Sequence, residues 1–85
     1  MANNQLMQVR VFAPFQTYFE GEALSVSAAN DTGPFDVLAR HKNFMTILKN
    51  CAIWVRVPDK DDFRLNIQQG VMHVRDDQVT VFLDV

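Results

Sequence analysis

Apolar residues in this chain recur at every second position, in short runs broken by turn formers. Val9, Val11 and Ala13 alternate with Gln8, Arg10 and Phe12. Leu24, Val26 and Ala28 alternate with Ala23, Ser25 and Ser27. Ile53, Val55 and Val57 flank Trp54 and Arg56, and Phe63, Leu65 and Ile67 alternate with Arg64, Asn66 and Gln68. Val79, Val81, Leu83 and Val85 alternate with Thr80, Phe82 and Asp84. Successive side chains of a strand point to opposite faces, so each run has one apolar and one mostly polar face. The pattern predicts an all-β chain of mostly antiparallel strands packed on one side.

Turn signals separate the runs. Ala13-Pro14-Phe15, Glu20-Gly21-Glu22, the stretch Asn30-Asp31-Thr32-Gly33-Pro34, Pro58 to Asp62, Gln69-Gly70 and Asp76-Asp77 all suit bends. Asp76-Asp77-Gln78 reads as a hairpin turn although it lacks the usual Gly. The spacing of ~8–12 residues between these signals favours a sandwich or barrel. Residues 40–51 are ambiguous. Phe44, Met45, Ile47, Leu48 and Cys51 fit a short helix capped by Asn43. Because the rest of the chain is so consistently β, the segment is read as a loop and a short strand.

Composition bounds what such a chain does. Eighty-five residues make one domain, and 48% hydrophobic content with seven Phe supplies a core and excludes a disordered tail. Eight basic against ten acidic residues, a net charge of -2, gives no electrostatic case for nucleic acid. One cysteine, Cys51, excludes an internal disulfide and a multi-cysteine zinc site, and fits a reducing compartment. Residues 1–7 read as a polar extension, without the basic and apolar regions of a signal peptide, and residues 8–85 as the domain. The apolar stretches fall far below the ~20 residues of a spanning helix, so a soluble chain without direct membrane insertion is expected.

No catalytic constellation stands out. His73 alternates onto the same side as Arg75 and reads as a solvent-facing strand residue. His41 lies in the basic turn Arg40-His41-Lys42, where a contact role outweighs catalysis because no nucleophile is near in sequence. Cys51 between apolar runs reads as a small hydrophobe rather than half of a thiolate pair. Asp59, Asp61 and Asp62 lack the Gly and terminal Glu of a calcium loop. The three glycines are too scattered for a phosphate loop, so no cofactor is expected. Phe12, Trp54 and Phe82 fall on the non-core faces of their runs. They suit protein contact, or faces covered in a sandwich whose strands change sheets; both readings stand.

The order of motifs resembles the ATP synthase epsilon chain. Phe19 to Val26 is similar to the family's opening "F-x-G-x-V-x-x-V". Gly33-Pro34-Phe35-Asp36-Val37-Leu38-Ala39-Arg40-His41 stands at "G-x-x-G-(V/I)-L-P-G-H", and Phe44 to Lys49 at "P-L-(L/I)-T-x-L-K". Gln69 to Val74 resembles "G-G-x-x-x-V", and Val79 to Asp84 resembles "V-T-V-L-A-D". Five weak motifs in order, from about Gln8 to Val85, make a specific signal.

The resemblance implies a small flattened β-sandwich of about 8–10 mostly antiparallel strands. It implies a non-catalytic rotor subunit at the foot of the central stalk. Such a subunit binds the gamma chain, rests on the c ring, and couples proton or sodium passage to ATP synthesis at the cytoplasmic face of the membrane. Position by position, Asp31, Thr32, Gly33 and Pro34 match the loop facing the c ring. Arg40, His41 and Lys42 match the loop near the junction of gamma chain and ring, with His41 and Thr46 facing the gamma chain.

The departures are specific. "P-G-H-A-P" is replaced by Ala39-Arg40-His41-Lys42-Asn43, so the Pro and Gly that fix the turn are lost. Pro34 stands at a family glutamate, and Asp36 at a Gly, so that turn is expected to tolerate a side chain. The family's C-terminal helical hairpin, where ATP binding and inhibition of hydrolysis reside, has no counterpart in these residues. The 85 residues are either a naturally short protein or a piece of a longer one. The alternative role is a free-standing interaction module using Phe12, Trp54 and Phe82; an enzyme using Cys51 with His41 or His73 is the least favoured.

Overall fold

A computed structural model describes residues 6–83. Seven strands follow one another: β1 (Met7–Ala13), β2 (Gln16–Ala23), β3 (Ser25–Asn30), β4 (Gly33–Leu38), β5 (Phe44–Arg56), β6 (Phe63–Arg75) and β7 (Gln78–Leu83). They hydrogen-bond into one sheet in the order β2-β1-β7-β6-β5-β3-β4. Every neighbouring pair is antiparallel except β1 with β7.

The sheet becomes a sandwich because β5 and β6 switch faces midway. In β5, Phe44, Thr46 and Leu48 turn inward, and after Asn50 the inward set becomes Cys51, Ile53 and Val55. In β6, the inward set changes from Phe63, Leu65 and Ile67 to Gly70, Met72 and Val74. The two changes lie side by side, since Lys49 pairs with Gln69 and Cys51 with Ile67. Side chains on an unbroken strand keep strict alternation, so a change of phase in two paired strands folds the sheet across that line. The first layer holds β2, β1, β7, the second half of β6 and the first half of β5. The second layer holds the other halves with β3 and β4. Phe19 of β2 meets Phe63 of β6 at 5.2 Å between ring centroids, although these strands are not neighbours in the sheet. The N–H of Leu24, just after β2, donates to the Arg56 carbonyl at 2.8 Å.

Between the layers lies one apolar core. Met7, Val9, Val11, Met72, Val81 and Leu48 from the first layer pack in the same cluster as Val26, Val37, Ile53 and Val55 from the second. Two residues permit the crossing. Asn50 has φ 43, a left-handed conformation that Asn tolerates better than most side chains. Gly70 is buried, and a Cβ there would sit 3.0 Å from both a Leu83 methyl and the Phe82 carbonyl oxygen.

Several sequence expectations change in detail. Seven strands replace the expected eight to ten among the described residues, because β5 and β6 each serve both layers. The segment read as a loop and short strand is the first half of the 13-residue strand β5. Asn43 caps no helix; its side-chain oxygen accepts from the Asp76 N–H at 2.9 Å. Leu24, expected inside, is exposed at the bend before β3, while Ser25 is buried. The Asp76-Asp77 turn is a hairpin turn as expected, with φ 50 and 64, the primed geometry that usually selects Gly. Met7 opens β1 and is fully buried, and Leu6 before it is half-buried; residues 1–5 of the expected polar extension lie outside the described residues.

The crossing makes two expectations testable by chemical denaturation. Gly70→Ala destabilises by about 1–3 kcal/mol, because backbone as well as a methyl blocks the added carbon. Asn50→Val destabilises by about 1–2 kcal/mol and Asn50→Gly much less, because only the branched residue resists the left-handed conformation.

Candidate partner-binding surface

One end of the sandwich is built by three connections. The β3–β4 hairpin turns through Asp31 and Thr32, between the paired residues Asn30 and Gly33. The Asn30 side-chain oxygen accepts from the Thr32 N–H at 2.9 Å, a local bond that sets the turn. Gly33 has φ 127, a conformation closed to ordinary side chains. The Asn30 amide then donates to the Thr46 hydroxyl at 3.0 Å, which ties the turn to β5. Lys49 reaches Asp31 at 3.9 Å, but both are exposed, so this pair adds little rigidity.

The loop before β5 closes the same end. The His41 ring packs on Phe44 at 4.9 Å, and Phe44 meets Phe35 of β4 edge-on at 6.0 Å. His41 Nδ1 lies 2.9 Å from the Lys42 carbonyl oxygen, which can only accept, so Nδ1 donates. Thr32, Gly33, Pro34, Phe35, His41 and Phe44 line a shallow cleft of about 310 Å³. Asp31, Thr32, Gly33, Pro34, His41 and Thr46, expected from sequence as contacts, therefore surround one end. Arg40 and Lys42 flank His41 on the same loop, both exposed.

The lost Pro and Gly are replaced by anchoring. Arg40, at the family's Gly position, has φ 68, so the left-handed turn persists with a side chain present. Its N–H donates to the Asp77 carboxylate, while Asn43 accepts from the Asp76 N–H. The basic loop is thus latched at two points onto the β6–β7 turn. Asp36 lies in β4 rather than in a turn, opposite Ser27, and its carboxylate accepts from that hydroxyl at 2.5 Å. The side chain is accommodated because it points outward from a regular strand.

Beside this end, the outer face of the first layer carries an apolar row that sequence reasoning found only in part. Ile47, Val71, Phe82 and Phe12 are direct partners across β5, β6, β7 and β1. Ile47, Val71 and Phe82 are 54%, 37% and 40% exposed, and Met45 extends the patch. Phe12 and Phe82 meet edge-to-face at 5.3 Å, and the Arg10 guanidinium lies 4.2 Å from the Phe12 centroid. Phe12 and Phe82 were legible as off-core aromatics. Ile47 and Val71 were not, because their facing depends on the change of phase.

Trp54 does not share this face. It lies in the second half of β5, paired with Arg64 and Ser27, and no ring contact joins it to Phe12 or Phe82 among the described residues. His73 is exposed with Arg75, as expected. Cys51 is half-buried opposite Ile67. No group of three or more His, Cys, Asp or Glu side chains among the described residues is placed to hold a metal ion. Among these residues no helix is long and apolar enough to cross a membrane.

A seven-strand sandwich with one built end and one exposed apolar face defines the class, a small β-sandwich domain. The chain belongs to the family "ATP synthase, Delta/Epsilon chain, beta-sandwich domain", whose model matches residues 6–85. It is 31% identical over 78 residues to the ATP synthase epsilon chain of Sulfurimonas denitrificans, covering 92% of this chain and 60% of that protein. It is 32% identical over 81 residues to the epsilon chain of Neisseria meningitidis, covering 94% of this chain and 58% of that one. The chain thus spans about three fifths of the length of these curated relatives. The fold is shared with a chain of the Euglena gracilis mitochondrial ATP synthase OSCP/F1/c-ring structure, at TM-score 0.85 and 16% identity. That match covers 93% of this chain and 51% of the other. A chain of the Tetrahymena thermophila mitochondrial ATP synthase central stalk/c-ring structure matches at TM-score 0.76 and 15% identity, covering 99% and 67%.

The latch is testable by thermal unfolding. Asp77→Gly suits the positive φ and deletes only the acceptor for Arg40, so it destabilises by about 0.5–2 kcal/mol. Arg40→Val destabilises by about 1–2 kcal/mol, because a β-branched residue resists the left-handed conformation at this position.

Proposed function

We propose that this chain is a non-catalytic rotor subunit of an ATP synthase, an epsilon-type foot of the central stalk. It binds the gamma chain and rests on the c ring at the cytoplasmic face of the membrane, coupling ion translocation to ATP synthesis. The observation that carries the reading is the exposed row Ile47–Val71–Phe82–Phe12 beside the built end. A contiguous apolar row on a strand face is favourable to cover with protein, and an epsilon-type role supplies the gamma chain as that cover.

Two contact zones follow. The gamma chain lies on the apolar row and reaches His41 and Thr46 at its end. The c ring meets the turn at Asp31, Thr32, Gly33 and Pro34 and the loop at Arg40, His41 and Lys42. Arg40 and Lys42 place two positive charges there, suited to acidic groups on the polar loops of the ring. The role is mechanical: β5 and β6 pass through both layers, so the layers resist sliding and load applied at one end reaches the apolar face.

The test is titration calorimetry with the gamma chain from the same genome. A one-to-one complex is expected. Val71→Asp with Phe82→Ser weakens it about a hundredfold or more while leaving the fold intact, because both side chains face outward. No complex between two folded partners removes the rotor role and leaves a free-standing interaction module. In assembled enzyme, Arg40→Glu with Lys42→Glu weakens retention on the c ring at low salt, and the difference shrinks as salt rises.

A further inference from the structure

We propose that Asp77 is a positioning residue: from the β6–β7 turn, its carboxylate fixes the loop conformation in which Arg40 and Lys42 meet the c ring. This role rests on the c-ring reading above and goes beyond it, because Asp77 lies outside the expected contact set.

The basic loop begins as a tight turn. The His41 N–H donates to the Leu38 carbonyl at 3.1 Å, which closes a turn over Leu38, Ala39, Arg40 and His41. Arg40, its third residue, has φ 68, while Ala39 before it keeps a negative φ. That combination is the type II turn, whose third position favours Gly. An arginine there is held against its own preference, so the turn needs a hold from outside.

Two bonds from the β6–β7 turn supply it. The Arg40 N–H donates to the Asp77 carboxylate, and the Asn43 side-chain oxygen accepts from the Asp76 N–H at 2.9 Å. The first grips the left-handed residue itself, and the second grips the loop just before β5. The gripping turn is anchored without its side chains, because the Gln8 N–H donates to the Asp77 carbonyl oxygen at 2.9 Å. Removing the Asp77 carboxylate therefore releases the loop and leaves the β6–β7 turn fixed on β1.

A released turn with Arg at its third position leaves the left-handed conformation part of the time, and its basic side chains then take several directions. Ordering them on binding weakens a contact, whereas a latched loop is ordered beforehand. Val71 and Phe82 stand opposite one another on the same β6–β7 hairpin. One element thus carries the middle of the apolar row and sets where the basic loop sits relative to it.

The test is a double-mutant cycle on membranes carrying the assembled synthase, read as the rate at which the chain dissociates. Asp77→Gly suits φ 64 and removes the acceptor, whereas Asp77→Asn suits it and keeps one. Asp77→Gly speeds dissociation about five- to tenfold, and Asp77→Asn changes it less than about twofold. In the Arg40→Gln, Lys42→Gln background, Asp77→Gly adds less than about twofold, because the charges it positions are gone; a merely structural loss keeps its full effect there. Asn43→Ala, which removes the second grip, acts in the same direction and is read instead if Asp77→Gly does not fold. In the 85-residue chain alone, amide exchange at His41 reports the turn without a partner, and Asp77→Gly speeds it while Asp77→Asn does not. The role is ruled out if Asp77→Gly leaves His41 exchange or dissociation unchanged, if Asp77→Asn fails to restore either, or if the effect persists in full in the Gln background. If the Gln pair by itself dissociates as the wild type does, the c-ring reading fails first and the role of Asp77 fails with it.

Discussion

The change of phase in β5 and β6 is the constraint on which the rest depends. Each strand presents one alternate set of residues to the core and then, past Asn50 and the Gln68-Gln69 step, the other set. A flat seven-strand sheet of this sequence would leave half its inward residues in water. Folding along that line brings Ile53 and Val55 over the same core as Leu48 and Met72. The line is narrow because few residues tolerate it: an Asn with positive φ on one strand, and a Gly pressed against β7 on the other.

Because the strands are continuous through the fold, the two outer faces differ in chemistry although they share backbone. Ile47 and Val71 face outward in the first layer, while Trp54, Arg56 and Arg64 face outward in the second. One surface is apolar and suits a large cover. The other is polar, with two guanidiniums held on an indole and the carboxylates of Asp36 and Asp62 beside them. A small domain thereby presents two chemically distinct outer faces without a second core.

The built end shows how a turn survives the loss of its usual residues. Gly and Pro fix a loop through the backbone alone, whereas Ala39-Arg40-His41-Lys42-Asn43 needs outside help. That help comes from the Asp76-Asp77 turn, which offers a carboxylate to Arg40 and an N–H to Asn43. The basic charges are held at a defined place by residues more than thirty positions away in the chain.

The sequence by itself determined the β class, four of the six expected bends and the core-facing sets of β1 and β7, because alternation and turn chemistry are local; Glu20-Gly21-Glu22 and Gln69-Gly70, which also suit bends, lie inside β2 and β6. It also determined the family, through the order of five short motifs, and with it the expected contacts at Asp31 to Pro34, His41 and Thr46. The tertiary structure alone decided that residues 44–56 form one strand, that Ile47 and Val71 face out, and that Trp54 parts company with Phe12 and Phe82. The reason is physical. Alternation tells which residues share a face within a run, but which face is inside is set by the fold line between two paired strands. That line is a property of the pair and of the backbone at Asn50 and Gly70, and no single run carries it.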